Sequence, residues 1–222
     1  VNNEIGTIQP VAELAAAAHR AGALFLCDAV QGAGKLEPPE GADMIALSAH
    51  KLYGPKGIGA LWVRDGIDLV PLIHGGGQEH GLRSGTLSPA LCAGFGAAAA
   101  LARARMAEDA AHVLRLWDSA IALLPGWTLN GCAERRWLGN LNLRRDGLDV
   151  ARLMADLRDI AFSAGSACAS GSGRTSHVLR ALGLSTAQAK ASIRIGFGRY
   201  TAAGEIEDAC ARIDAAAAAQ EV

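Results

Sequence analysis

A chain of 222 residues, half of them hydrophobic and with a formal net charge of −1, can bury a substantial core as one large domain or two small ones. No segment approaches the ~18 consecutive apolar residues of a membrane span, no basic stretch leads into a secretory-type hydrophobic run, and no basic block suggests nucleic acid. The expectations are a cytoplasmic protein and no membrane or nucleic-acid partner.

The five cysteines, Cys27, Cys92, Cys132, Cys168 and Cys210, are odd in number, far apart and never in a C-x-x-C pair. That suits a reducing compartment, and metal-site spacing is absent. Seventeen arginines stand against only Lys35, Lys51, Lys56 and Lys190, so few side chains can form an imine. The chain opens on Val1 rather than Met, and Val1-Asn2-Asn3-Glu4-Ile5-Gly6 reads as a strand end running into a turn. An N-terminal portion is therefore expected to precede it.

In chain order, Pro10 to Ala21 predicts a helix, with proline near its first turn and Gly22 just past its end. Short apolar runs follow at Ala23 to Cys27, ending at Asp28, at Met44 to Leu47, ending in Ser48-Ala49-His50-Lys51, and at Ile58 to Val63. Runs of this length bounded by turn residues suit buried strands, so a mostly parallel sheet covered by helices is expected. Open α/β sheets bind ligands beyond the C-terminal ends of their strands, where Asp28 and the Ser48 to Lys51 segment fall. The glycine-rich stretch from His74 to Thr86 is too long for a hairpin turn, and such loops usually serve function.

Ser88 to Arg105 and Ala107 to Leu124 predict two alanine-rich helices, with a domain division at their junction, 1–105 and 106–222. Beyond it the pattern alternates. Strands are expected at Trp127 to Asn130, Leu138 to Leu143, Ile160 to Ser163 and Ser192 to Ile195, and helices at Val150 to Leu157, Thr175 to Leu182 and Ala203 to Ala219. This is a small α+β layer. Within it, Cys168 sits in Ser163-Ala164-Gly165-Ser166-Ala167-Cys168-Ala169-Ser170-Gly171-Ser172-Gly173, too small and polar a run to pack a core, and it is expected to move.

Alone, Lys51 reads as a solvated charge, Asp28 as a cap, His50 as a core histidine and Arg194 as a surface cation. Together with their neighbours they carry a pattern. The segments VNNEIG (1–6), CDAVQ (27–31), SAHKLYGPKGIGALWV (48–63), HGGGQEHGLRSGT (74–86), SAGSACASGSG (163–173), HVLRALGL (177–184) and SIRIGFGRYT (192–201) span almost the whole chain in one order. That order resembles the NifS/IscS group of cysteine desulfurases, in the class V aminotransferase superfamily of fold-type I pyridoxal 5'-phosphate enzymes.

The resemblance implies an α/β fold: the C-terminal part of a large, mostly parallel-sheet domain that binds the cofactor, then a small α+β domain. It implies Lys51 as the lysine bonded to the cofactor, Asp28 against the pyridinium nitrogen, and Gln31 and Asn3 near the ring oxygen. Ser48 and His50 would bind the phosphate, Thr86 would reach the phosphate of a neighbouring subunit in a homodimer, and Arg194 would hold the substrate carboxylate, with Asn3 a further substrate-binding residue. Cys168 would take sulfur from L-cysteine, releasing alanine, and pass it to an acceptor or iron-sulfur scaffold protein. The chemistry needs these residue types. A carboxylate keeps the ring nitrogen protonated, a primary amine forms the imine and shuttles the α-proton, a guanidinium grips a carboxylate bidentately, and a thiolate attacks sulfur.

Rival expectations are another class V enzyme, such as an aminotransferase or selenocysteine lyase, or an inactive fragment serving as a folding or interaction module. The phosphate-binding turn and the ring-stacking group of the family lie upstream of the asparagine motif, so a chain starting at Val1 is expected to bind the cofactor weakly and to lack activity. A plain nucleotide-binding domain is disfavoured, because Gly54-Pro55-Lys56-Gly57-Ile58-Gly59 precedes a strand rather than a helix.

Overall fold

The computed structural model describes residues 1–165 and 175–220. The chain divides into two compact units, one of Pro10–Met106 and one that joins Val1–Gln9 to Ala107–Val222. The first nine residues thus cluster with the later part of the chain rather than with the domain expected over 1–105.

In the unit of residues 10–106, helix α1 (Val11–Arg20) is followed by strands β1 (Leu26–Asp28), β2 (Met44–Ser48) and β3 (Gly59–Val63). Strand β1 pairs parallel to β2 with Asp28 opposite Ala46, and β3 returns antiparallel, Ser48 opposite Gly59. The sheet is therefore mixed at β3, because the turn after β2 is short enough to reverse the chain directly.

A buried carboxylate ties this unit together. Asp43, immediately before β2 and wholly buried, accepts the Phe25 backbone N–H at 2.6 Å, meets His19 Nε2 from α1 at 2.9 Å, and pairs with Arg64 Nη2 after β3 at 2.6 Å. One side chain thus fixes the entry to β1, the end of α1 and the exit from β3.

Helix α2 is continuous over Pro89–Ala122, where two helices were expected. Met106, the residue at the expected break, is a good helix former, and neither glycine nor proline interrupts Ala97 to Ala122. Small residues along its first half allow close approach to the rest of this unit: a Cβ on Gly54 would lie 3.0 Å from Ala98 Cβ.

The other unit carries strands β4 (Thr128–Leu129), β5 (Asn140–Arg144), β6 (Ser163–Ala164) and β7 (Ser192–Gly196), with helices α3 (Val150–Asp156), α4 (His177–Ala181), α5 (Thr186–Lys190) and α6 (Ala203–Ala218). Its sheet runs β4-β5-β7-β6, with every pairing antiparallel. Leu141 and Leu143 of β5 and Ile193 of β7 bury their side chains with Leu153 of α3 and Ile213 of α6. Burial of each such side chain is worth about 1.5–3 kcal/mol. Helix α5, absent from the expected elements, starts on a capping box in which Ser185 and Gln188 bond each other's backbone N–H.

Residues 1–9 dock on this unit by hydrogen bonds as well as packing. Ile5 is buried with Leu179 and Ala189, and the Gly6 carbonyl accepts the Trp137 N–H at 2.9 Å. Gly6 has φ +73°, and a Cβ there would sit 3.0 Å from the Trp137 carbonyl oxygen, so only glycine fits the turn. Arg136, 5 % exposed, donates to the carbonyls of Ile5 at 3.0 Å and Asn140 at 2.8 Å. Burial lowers its pKa to about 10.

The Phe25 N–H, then His19, hold the Asp43 carboxyl below its ordinary value against the opposing effect of burial, with Arg64 adding to the depression. A depressed folded-state pKa contributes stability that is present above the unfolded value, about 3.9, and is lost as pH falls below it. Asp43→Asn should therefore lower the melting temperature at pH 7, and the gap from wild type should narrow as the pH drops below about 3.9. A gap that stays constant across thermal melts in that range would contradict the role given to Asp43.

Candidate functional site

Parallel pairing of β1 with β2 sets Asp28 and Ser48 at the C-terminal ends of adjacent strands. Asp28 Oδ1 accepts the Val30 N–H at 2.9 Å, which turns the chain at once and leaves the exposed carboxylate aimed from the strand end. After β2 a single 3-10 turn, Ala49–Leu52, buries Ala49 and Leu52 and leaves His50 and Lys51 exposed between them. Two buried apolar anchors bracketing two polar residues are what present the amine. Ser48 Oγ lies 2.9 Å from His50 Nδ1, so hydroxyl and imidazole form one pair at the strand end. Tyr53, at φ +67°, then reverses the chain toward β3.

Gln31 follows Asp28 in the same turn, and its carbonyl accepts Lys35 Nζ at 3.1 Å. Burial, and then the charge of Lys51, lowers the Lys35 pKa to about 8. Lys35 is one of the four lysines that could form an imine, but nothing in its spacing marks it as a neighbour of Lys51. Asp28, Gln31, Ser48, His50 and Lys51 thus share one edge of one sheet, with a second amine beside Lys51. Thr86, exposed, belongs to the 74–86 loop of this unit, which closes on itself through Gln78 Oε1 accepting the Gly85 N–H at 2.9 Å.

In the other unit, Arg194 of β7 donates through Nη1 to the Asn3 carbonyl at 2.8 Å, and Asn140 Nδ2 donates to the same oxygen at 2.9 Å. The two residues expected to meet the substrate are in contact, with the guanidinium oriented by a backbone carbonyl. Asn142 of β5, wholly buried, donates from Nδ2 to the carbonyls of Glu4 at 2.9 Å and Gly165 at 3.1 Å. Neither Asn142 nor Glu4 was singled out in the sequence, because their partners lie more than a hundred residues away or across a strand.

Cys168 lies outside the described residues. Of the other thiols, burial raises Cys27 and raises Cys210 to about 11, which disfavours their thiolates. Among the described residues there is no cluster of metal-ligating side chains and no helix long and apolar enough to cross a membrane.

The donor set fits a phosphorylated pyridine aldehyde. An exposed carboxylate can accept from a ring N–H, a primary amine can bond an aldehyde, and a hydroxyl–imidazole pair can donate to phosphate oxygens, all at one strand edge.

Comparison with known proteins places the chain in a family. The model of the family "Aminotransferase class-V" matches residues 1–208. The chain is 43 % identical to "Cysteine desulfurase IscS" of Rickettsia typhi, over 96 % of this chain and 55 % of that protein. It is 46 % identical to "Cysteine desulfurase, mitochondrial" of Saccharomyces cerevisiae, over 93 % of this chain and 43 % of the relative. A solved "NIFS-LIKE PROTEIN" superposes with a TM-score of 0.86 at 31 % identity, covering 96 % of this chain and 58 % of that one. The chain therefore spans about half the length of the relatives it matches.

The Lys35 ammonium should titrate near its lowered value of about 8 when followed by carbon-13 NMR of labelled lysine, and Lys51→Ala should move that midpoint up by removing a like charge. A midpoint near the ordinary 10.4 or so, indifferent to the substitution, would separate the two amines.

Proposed function

The chain belongs to the class-V aminotransferase family, and from that premise we propose that it carries the cofactor lysine and the sulfur-accepting cysteine of a pyridoxal 5'-phosphate-dependent cysteine desulfurase. The observation that carries the proposal is the shared strand edge of Asp28, Ser48, His50 and Lys51. The names of the relatives supply the substrate, L-cysteine.

When bound, pyridoxal phosphate withdraws electrons from the substrate's α-carbon. Asp28 would hold the proton of the ring nitrogen and Gln31 would bond the ring oxygen, the role that the family resemblance gives Asn3 as well. Ser48 and His50 would donate to the phosphate, and Thr86 would reach the phosphate held by a second copy. Lys51 would hold the cofactor through its aldehyde and, as a free amine, would move the substrate's α-proton. Arg194, held by the Asn3 carbonyl, grips the substrate carboxylate and so orients the Cα–H bond.

The Cys168 thiolate attacks the substrate sulfur. A sulfur–sulfur bond forms as the Cβ–S bond breaks, its electron pair stays with the carbon skeleton, and protonation there yields alanine. The persulfide on Cys168 then passes sulfur to an acceptor protein of iron-sulfur assembly. Working as a homodimer is supported by the exposed apolar residues Val70, Leu72 and Ile73, which lead directly into the loop that carries Thr86. A reducing, cytoplasmic setting suits the scattered free thiols.

Borohydride reduction of the cofactor-loaded protein followed by peptide mapping should place the pyridoxyl group on Lys51, and Lys51→Ala should abolish it. Cys168→Ser should keep the cofactor and bind L-cysteine, yet form neither persulfide nor alanine at more than about a hundredth of the wild-type rate. Label on Lys35, Lys56 or Lys190, or normal alanine production by the serine variant, would overturn the assignment.

A further inference from the structure

We infer that Glu4, Asn142 and Ser176 form a positioning bracket that ties the chain on either side of the Cys168-bearing segment, at Gly165 and Ser176, to the short stretch of chain carrying Asn3. The inference deepens the proposed desulfurase reading and rests on it.

The bracket is a chain of buried polar groups bonded to one another. On one flank, the Gly165 N–H donates to the Ser192 carbonyl at 2.7 Å, and the Gly165 carbonyl accepts Asn142 Nδ2 at 3.1 Å. A Cβ on Gly165 would lie 2.7 Å from Ser192 Cβ, so this flank is seated where only glycine fits. The second Asn142 N–H goes to the Glu4 carbonyl at 2.9 Å, and Asn142 Oδ1 accepts from Asn130 Nδ2 at 2.8 Å. Asn130 Nδ2 also donates to Ser192 Oγ at 3.1 Å, and that hydroxyl donates onward to the Gln188 carbonyl at 2.9 Å.

On the other flank, Ser176 Oγ donates to Glu4 Oε2 at 2.5 Å while accepting the Leu179 N–H at 3.1 Å. Glu4 and Ser176 are each 4 % exposed, and Asn142 is wholly buried. Glu4 therefore holds one flank through its side chain and the other through its backbone carbonyl by way of Asn142.

A serine at the start of α4 needs no carboxylate behind it to cap a helix, and burying a carboxylate is costly unless it is partnered. The arrangement is explained if the flanks must stand at a fixed place relative to Asn3. The Asn3 carbonyl, one residue from Glu4, is what orients Arg194. One stretch of chain then references both the group proposed to hold the substrate carboxylate and the described residues on either side of Cys168.

The test separates positioning from bulk stability. Glycine keeps most of serine's preference at a helix start, so Ser176→Gly removes the hydroxyl to Glu4 while sparing the cap. Glu4→Met cuts the same bond from the other side, and Ser176→Thr restores a hydroxyl. In the cofactor-loaded protein, α-hydrogen exchange of L-alanine in deuterated water needs Lys51 but no thiol. Both disrupting variants should leave that exchange within about twofold of wild type while slowing persulfide formation on Cys168 about tenfold or more, with Ser176→Thr restoring it. In the cofactor-free protein, the rate of Cys168 alkylation by iodoacetamide should change by about threefold or more in the disrupting variants only. Equal loss of exchange and persulfide, or unchanged persulfide formation and alkylation, would overturn the bracket. A wild-type protein that makes no persulfide from L-cysteine would instead overturn the desulfurase reading, and the alkylation rates would still decide the bracket.

Discussion

The carboxamide of Asn142 is the interaction on which the later unit depends. It sits in the middle of β5, where the strand's own alternation buries Leu141 and Leu143 among apolar side chains, and it is itself wholly buried. A buried amide with any of its three partners missing would cost about 1–3 kcal/mol, comparable to losing a core methyl group or two. All three are present, supplied by Asn130, Glu4 and Gly165. The first nine residues can dock against this sheet as a stretch with little regular structure because Asn142 and Arg136 satisfy carbonyls that pairing would otherwise have to satisfy.

From that docking follows the placement of chemistry. Asn3 stands beside Arg194 because residues 1–9 are carried by the sheet that carries Arg194, and β5 pairs with β7 in a register that sets Asn142 opposite Arg194. The unit of residues 10–106 solves a separate problem with a separate device. There Asp43 ties α1, β1 and β3 together, and the parallel β1–β2 pair then delivers Asp28 and the Ser48 to Lys51 turn to one edge. Each unit thus uses one buried polar side chain as its organiser and keeps the residues proposed to react at the margin. Such division is sensible, since an organiser must be fully satisfied and dry, whereas an amine or carboxylate that reacts must stay reachable.

What the sequence made legible follows from locality. Short apolar runs punctuated by Asp28 and by Ser48 to Lys51 announced strand ends, because burial and its termination are both written within a few residues. The residue roles are implied by the family resemblance alone, since no periodicity could supply them. Helix α2 was read as two because the alanine-rich pattern around Met106 says little about whether a helix continues. Helix α5 was missed although its Ser185–Gln188 capping box is a local signal that could have found it. The grouping of residues 1–9 with the later unit was not legible at all. It rests on Arg136, Asn140 and Asn142 meeting carbonyls more than a hundred residues away, and a buried asparagine looks like any loop asparagine until its partners are known.

The claim that Asn142 is the keystone of this arrangement is tested most directly by the exchange of its own side-chain amide protons, followed by nitrogen-15 NMR. Both protons are committed to carbonyls in a dry interior, so they should exchange as slowly as the backbone amides of β5, through opening of the whole unit. Exchange as fast as that of the exposed side-chain amides would show that the hydrogen bonds to Glu4 and Gly165 do not persist, and residues 1–9 would need another anchor.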